Sequence, residues 1–149
     1  MSIVDGSLID CHAIYTAGCM MSGIYKITPN GWTEGPFEAY CDMETTVPNF
    51  NSCKGRRWTV FQRCVNGSVD FNRNWTSYKD GFGQLDHEFW LGNEKLHYLT
   101  KEPGTYRLRI DLVSNSGTTY HACYKEINIK EEGEKYELHA SGFHGTNSK

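Results

Sequence analysis

Alternation is sharpest in the last third of the chain. Tyr106, Leu108, Ile110 and Leu112 put an apolar side chain at every second position, with Arg107, Arg109 and Asp111 between them. That period of two predicts a strand with one buried face. Ser114-Asn115-Ser116-Gly117 supplies turn chemistry, and a second strand follows through Tyr120, Ala122 and Tyr124. The apolar phase then slips to Ile127 and Ile129, which predicts a bulge near Lys125. Glu131 to Lys135 makes the next turn, and Tyr136, Leu138 and Ala140 alternate with Glu137 and His139 in a third strand. The three form an antiparallel meander.

Upstream the pattern is shorter in range. Trp58 to Cys64 (WTVFQRC) reads as a strand buried on both faces and ends at the turn signal Asn66-Gly67. Ile24 to Thr28 and Phe37 to Cys41 are two further strands, joined through Pro29-Asn30-Gly31. One helix begins at Asn74, a good N-cap, and runs to Gly81-Phe82-Gly83. A second covers roughly Asn93 to Thr100, with Leu96 and Leu99 at helical spacing, and closes at Pro103-Gly104. The class is α+β, with more strand than helix and no internal repeat.

Composition narrows the function. The 149 residues suit one domain and bury about 70% of the surface an unfolded chain exposes. With 15 Lys+Arg against 18 Asp+Glu the formal net charge is −3, which offers no field to a phosphate backbone. No run of about 18 apolar residues occurs, so no helical membrane span is expected. Neither a nucleophile elbow nor H-E-x-x-H nor a phosphate-cradling glycine loop is present, and the expectation is a protein without catalysis. The aromatics Trp58, Phe61, Trp75, Tyr78, Phe82, Phe89 and Trp90 follow core periodicity and read as packing rather than as a sugar platform. His139 and His144 do not suit one helix face and have no carboxylate or cysteine to complete a metal set.

The 6 cysteines are Cys11, Cys19, Cys41, Cys53, Cys64 and Cys123. Neither zinc spacing nor a C-x-x-C motif occurs, so an even count favours disulfides over thiols held reduced in a cytosol. Against this, Met1 to Gly23 carries no Lys or Arg and lacks the apolar core of a signal peptide. Asn66-Gly67-Ser68 and Asn74-Trp75-Thr76 are N-glycosylation sequons. Asn66 lies in an exposed turn and is the better acceptor, whereas the Asn74 side chain is wanted for capping.

Several runs then combine. Asp10-Cys11, Ser22-Gly23-Ile24-Tyr25 and Tyr40-Cys41-Asp42-Met43-Glu44-Thr45 are followed by WTVFQR (Trp58 to Arg63) and NGSVDFNRNW (Asn66 to Trp75). YKDGFG (Tyr78 to Gly83), EFWLGNEKLH (Glu88 to His97) and YRLRIDL (Tyr106 to Leu112) complete the series. From Asp10 to about Gly145 the chain closely resembles the fibrinogen C-terminal domain family, which includes fibrinogen chains, ficolins, tenascins and angiopoietins. The resemblance implies an extension over residues 1–9 and a partial domain over 10–149. Within it, 10–57 would be an N-terminal subdomain and 58–149 the central antiparallel sheet with short helices. The C-terminal subdomain, with the family's calcium loop and most of its ligand pocket, falls beyond Lys149, so no cofactor is expected in this chain.

The resemblance also implies a secreted, disulfide-bonded glycoprotein. Its full-length parent would be a lectin-like binding module of innate immunity recognising glycans or acetyl groups, or one that binds a receptor or matrix partner and oligomerises through upstream regions. The alternative is a structural scaffold, or an incomplete fragment without ligand binding of its own. Cys11 and Cys41 match the family's first disulfide, and closing a loop of that length stabilises by roughly 3.6 kcal/mol on the chain-entropy model. For the others, Cys19 with Cys53 and Cys64 with Cys123 is the preferred pairing, with buried free thiols the alternative. The acidic run Glu131-Glu132-Gly133-Glu134 reads as a solvated turn. Departures from the family are the insertion Thr46 to Gly55, the pair Arg56-Arg57, and Cys64 at a position that commonly carries arginine. A gap in the sheet where a returning strand is missing would expose Val60, Leu108 and Ile110 and promote self-association.

Overall fold

The computed structural model describes residues 6, 8–45, 57–102 and 106–145. Their contacts form two compact units that divide near Thr100. The boundary expected between residues 57 and 58 instead falls inside a sheet, because the strand that begins at Trp58 pairs with the strand that contains Cys41.

The first unit opens with a helix the alternation did not signal, α1 (Cys11–Thr16). Its N-cap is Asp10, whose side chain accepts from the Ala13 N–H at 2.8 Å. Cys11 and Ile14, three apart, are both fully buried. β1 (Gly23–Ile27) and β2 (Phe37–Asp42) pair antiparallel from Gly23↔Cys41 to Ile27↔Phe37, and β3 (Trp58–Val60) adds to β2. Ile27, Ala39, Cys41 and Met43 line the core beneath. Residues of the 1–9 extension join this unit: the Gly6 carbonyl accepts from Thr28 Oγ1 at 2.6 Å, and the Leu8 carbonyl from the Thr28 N–H at 2.9 Å.

The WTVFQRC run is not one strand buried on both faces. It breaks at Phe61 into β3 and β4 (Gln62–Arg63), which join different sheets. None of its members is buried: Trp58 to Phe61 and Arg63 are intermediate, and Gln62 and Cys64 are exposed. β4 pairs with β6 (Phe89–Trp90), which pairs on its other side with β5 (Phe82–Gly83). Between β4 and β5 lies α2 (Trp75–Asp80), capped by Asn74 as predicted, and after β6 comes α3 (Asn93–Thr100), which buries Leu96 and Leu99. The approach of β5 to β6 is close enough to demand glycine. A Cβ on Gly83, at φ +90°, would sit 2.2 Å from the Glu88 carbonyl oxygen.

Most of the aromatics pack as expected. Tyr78 lies edge-on to Phe82 at 5.1 Å, Phe61 to Trp90 at 5.6 Å, and Phe89 is buried; only Trp75 is half exposed.

The second unit is the meander β7 (Leu108–Val113), β8 (Thr119–Ile129) and β9 (Leu138–Gly145), in that order. The turn at Ser114–Gly117 closes with Gly117 at φ +85°. The slip near Lys125 is a shift of register on the β7 side only. Toward β9 the register keeps step from Ala122↔Gly145 to Ile129↔Leu138 but skips Lys125 and Gly142, the latter at φ +71°. Toward β7 the ladder stops at Leu108↔Tyr124, and the next bond, Ile127 N–H to the Tyr106 carbonyl, is one residue out of step.

Burial on β8 follows the expected phase after the slip, where Ile127 and Ile129 are buried, and departs from it before, where Cys123 is fully buried while Tyr120, Ala122 and Tyr124 are half exposed on the opposite face. On β7, burial falls from Leu108 toward the turn, and Leu112 is 58% exposed. Of the residues expected to be laid open at a sheet edge, Leu108 is therefore buried, and Val60 and Ile110 are intermediate. Among the described residues of this unit, the large apolar side chains that are exposed are Leu112, Val113, Leu138 and Phe143.

Candidate functional site

Two constructions in the first unit bring chemistry together. The first centres on Glu88, whose side chain is fully buried one residue before β6. One carboxylate oxygen accepts the backbone N–H groups of Val65 (2.5 Å), Asn66 (2.6 Å) and Gly67 (3.0 Å). The other accepts the Val69 N–H at 2.9 Å and the Ser68 hydroxyl at 3.3 Å. Backbone donors from Val69 and Val65, helped by Asn66 and Gly67, outweigh desolvation and pull its carboxyl down to about 2. The anion thus serves as the hub of the turn that carries the first sequon.

Asn66 is exposed, and its side-chain oxygen accepts from the Ser68 N–H at 3.1 Å. Asn74 is also exposed, but its side-chain oxygen caps α2 by accepting the Ser77 N–H at 3.0 Å.

The second construction is an open cleft of about 430 Å³ walled by the loop after β1 and by α2 and α3. Trp32 stands in it, edge-to-face with Phe37 at 5.2 Å and with Tyr98 at 5.5 Å. The Trp32 indole N–H donates to the Gly35 carbonyl at 2.8 Å, which fixes the ring. Lys95 is part of the lining. Its ammonium donates to the carbonyls of Asp80 at 3.0 Å and Leu91 at 3.4 Å, and lies 5.4 Å from the centre of the Phe37 ring. Burial pushes this lysine below its usual range, with the nearby Asp80 acting in the opposite sense. Glu34, Asp80, Glu94 and Lys79 complete the lining. A perturbed ionisable group and ordered rings around a cleft make it a candidate binding site.

The sequence matches the family described as "Fibrinogen beta and gamma chains, C-terminal globular domain" over residues 7–149. The chain belongs to the fibrinogen C-terminal domain family. Human fibroleukin is 42% identical over 137 residues, a match that takes in 92% of this chain and 29% of fibroleukin. Bovine angiopoietin-4 is 40% identical over 146 residues, 98% of this chain and 27% of that protein. Among solved structures, the fibrinogen-like globe domain of human ANGPTL2 superposes with a TM-score of 0.83 at 35% identity. That superposition covers 94% of this chain and 60% of the ANGPTL2 chain. This member of the family therefore spans less than a third of the fibroleukin and angiopoietin-4 lengths.

Within the family frame, Cys11 on α1 is bonded to Cys41 on β2, with Cα atoms 5.5 Å apart. The preferred pairing of the other four is not formed. Cys19 and Cys64 are free thiols, the first half-buried and the second exposed, while Cys123 is disulfide-bonded. Cys64 follows β4, whereas Cys123 lies on β8 in a different sheet. Cys53 lies outside the described residues, as do Arg56 and the rest of the insertion.

The acidic run folds into a 3-10 turn at Glu132–Glu134, and Lys130 bridges Glu134 at 3.5 Å and Glu137 at 3.7 Å. Among the described residues no group of three or more His, Cys, Asp or Glu is placed to hold a metal. His139 and His144 are exposed and fall on opposite faces of β9.

Sequence reasoning missed both constructions. The signal for Glu88 was a carboxylate set directly against the apolar run Phe89-Trp90-Leu91. The cleft left no signal, because Trp32, Asp80 and Tyr98 are far apart in the chain.

Proposed function

We propose that this chain is part of a non-catalytic extracellular recognition module of the fibrinogen-related type. The observation that carries the reading is the continuous family match over residues 7–149, together with the superposition on a fibrinogen-like globe domain. The strands and helices superpose on 60% of that globe domain's chain, and the reading takes them as a frame for binding surfaces rather than for catalysis. The full-length parent recognises glycans or acetylated groups, or a receptor or matrix partner, outside the cell. Disulfide formation at Cys11–Cys41 fits that oxidising setting. The cofactor-free character of this segment belongs to the same proposal.

A scaffold or assembly role is the second reading. It is favoured by one observation, the exposed apolar side chains Leu112, Val113, Leu138 and Phe143 on a sheet. The deciding experiment presents the secreted full-length parent to an array of N-acetylated glycans and, in parallel, to immobilised receptor ectodomains and matrix proteins. Saturable binding without chemical change of the ligand supports recognition. Turnover of any ligand overturns it, and polymer formation without binding favours the scaffold.

A further inference from the structure

We propose that the cleft between the loop after β1 and helices α2 and α3 receives a cationic side chain, guanidinium or ammonium, from a protein partner. This rests on reading the chain as a binding module and names what one of its surfaces takes.

Size comes first. A cleft of about 430 Å³, open to solvent, accommodates one extended side chain and part of its backbone. Shape comes second. Trp32 and Tyr98 meet edge-to-face at 5.5 Å, and the indole is held by its bond to Gly35, so aromatic surface is already ordered before a ligand arrives. Such surface attracts cations through the ring quadrupole.

Charge decides the class. Glu34, Asp80 and Glu94 face Lys79 and Lys95 in the lining. The Lys95 ammonium is directed into the carbonyl of Asp80, the last residue of α2, into that of Leu91 after β6, and toward the Phe37 ring, so its charge is largely answered within the protein. Three carboxylates stand against two ammonium groups in the lining, a net acidic balance, and Glu34 and Asp80 are exposed. A cation therefore finds exposed carboxylate and aromatic rings together.

The test uses the whole chain, labelled with nitrogen-15 and followed through the Trp32 indole N–H resonance, which is assigned with Trp32→Phe. The probes are N-acetyl-arginine methylamide and N-acetyl-lysine methylamide, with N-acetyl-glutamine methylamide as the neutral control and a methyl glucoside as the sugar control. The expected result is a saturable shift with one or both cationic probes, weakened about fivefold or more in Glu34→Gln/Asp80→Asn. Added salt should weaken it further, and the two cationic probes show which head group is preferred. Because both substituted residues are exposed, this variant keeps the fold, which an unchanged Cys11–Cys41 bond and backbone spectrum will verify. A shift that does not saturate, that survives the double substitution unchanged, or that the neutral amide or glucoside reproduces overturns the proposal. Such a failure leaves the recognition reading to its own assay on the full-length parent.

Discussion

Glu88 shows how much one side chain organises. A buried carboxylate without partners is costly, yet this one collects four backbone N–H groups and a hydroxyl from residues 65–69, and the turn in return has its donors satisfied. Because the folded carboxyl lies at about 2, below its ordinary value of 4.5, the group contributes stability at neutral pH. That contribution is present above the ordinary value and is lost as pH falls through about 2. Glu88→Gln should therefore lower the urea midpoint at pH 7, since its amide NH₂ would face backbone donors. It should also flatten the loss of stability between pH 5 and pH 2, which denaturant titrations of both proteins at several pH values will measure. Equal acid sensitivity in the two would contradict the assignment.

Thiol reactivity is the second test at this scale. Under non-reducing conditions an alkylating reagent should modify Cys64 quickly and Cys19 more slowly, leaving Cys11, Cys41 and Cys123 unlabelled in a peptide map. Labelling of Cys41, or protection of Cys64, would contradict the bonding pattern.

At the scale of elements, period and capping decided most of what forms. α2 starts where Asn74 stands, and α3 spans the range that Leu96 and Leu99 implied. Asn74→Ala should cost about 1 kcal/mol by removing the bond to the Ser77 N–H, read as a shift in denaturation midpoint. β7 gives a sharper contrast. Leu108 is buried and its neighbour Arg107 is exposed, so Leu108→Ala should cost ~2–5 kcal/mol and Arg107→Ala much less. Equal, small effects would mean that the strand phase is wrong. Alternation nevertheless told only which side chains share a face. Tyr120, Ala122 and Tyr124 share one with Leu108, Ile110 and Leu112, as the pattern implied, yet the deeply buried positions of β8 lie on the other. Covering a face requires something stacked upon it, and no local pattern records that.

For the molecule as a whole, the exposed apolar side chains of the meander set its behaviour in solution. Phe143 is 60% exposed and lies against Tyr124 on β8, with ring centres 5.3 Å apart, while Leu112 and Val113 are exposed on β7. Apolar groups on the outer strands of a sheet invite pairing with another copy. Light scattering should show concentration-dependent association of the 149-residue chain, reduced in Phe143→Ser, while calorimetry with calcium or N-acetylglucosamine shows no heat of binding. A monodisperse monomer at high concentration, or micromolar binding of either ligand, would overturn this expectation.

Sequence alone determined the class, the meander, both capped or spaced helices, the family and the Cys11–Cys41 bond. Each is written locally, in a two-residue period, a cap, or an ordered series of short motifs. Tertiary structure decided the split of the Trp58–Cys64 run between two sheets, the burial of Glu88, the free state of Cys19 and Cys64, and the meeting of Trp32, Asp80 and Tyr98 in one cleft. Those depend on which distant segments come to lie side by side. A carboxylate becomes a hub, and a tryptophan a wall, only when residues remote in the chain supply the donors or the opposite side.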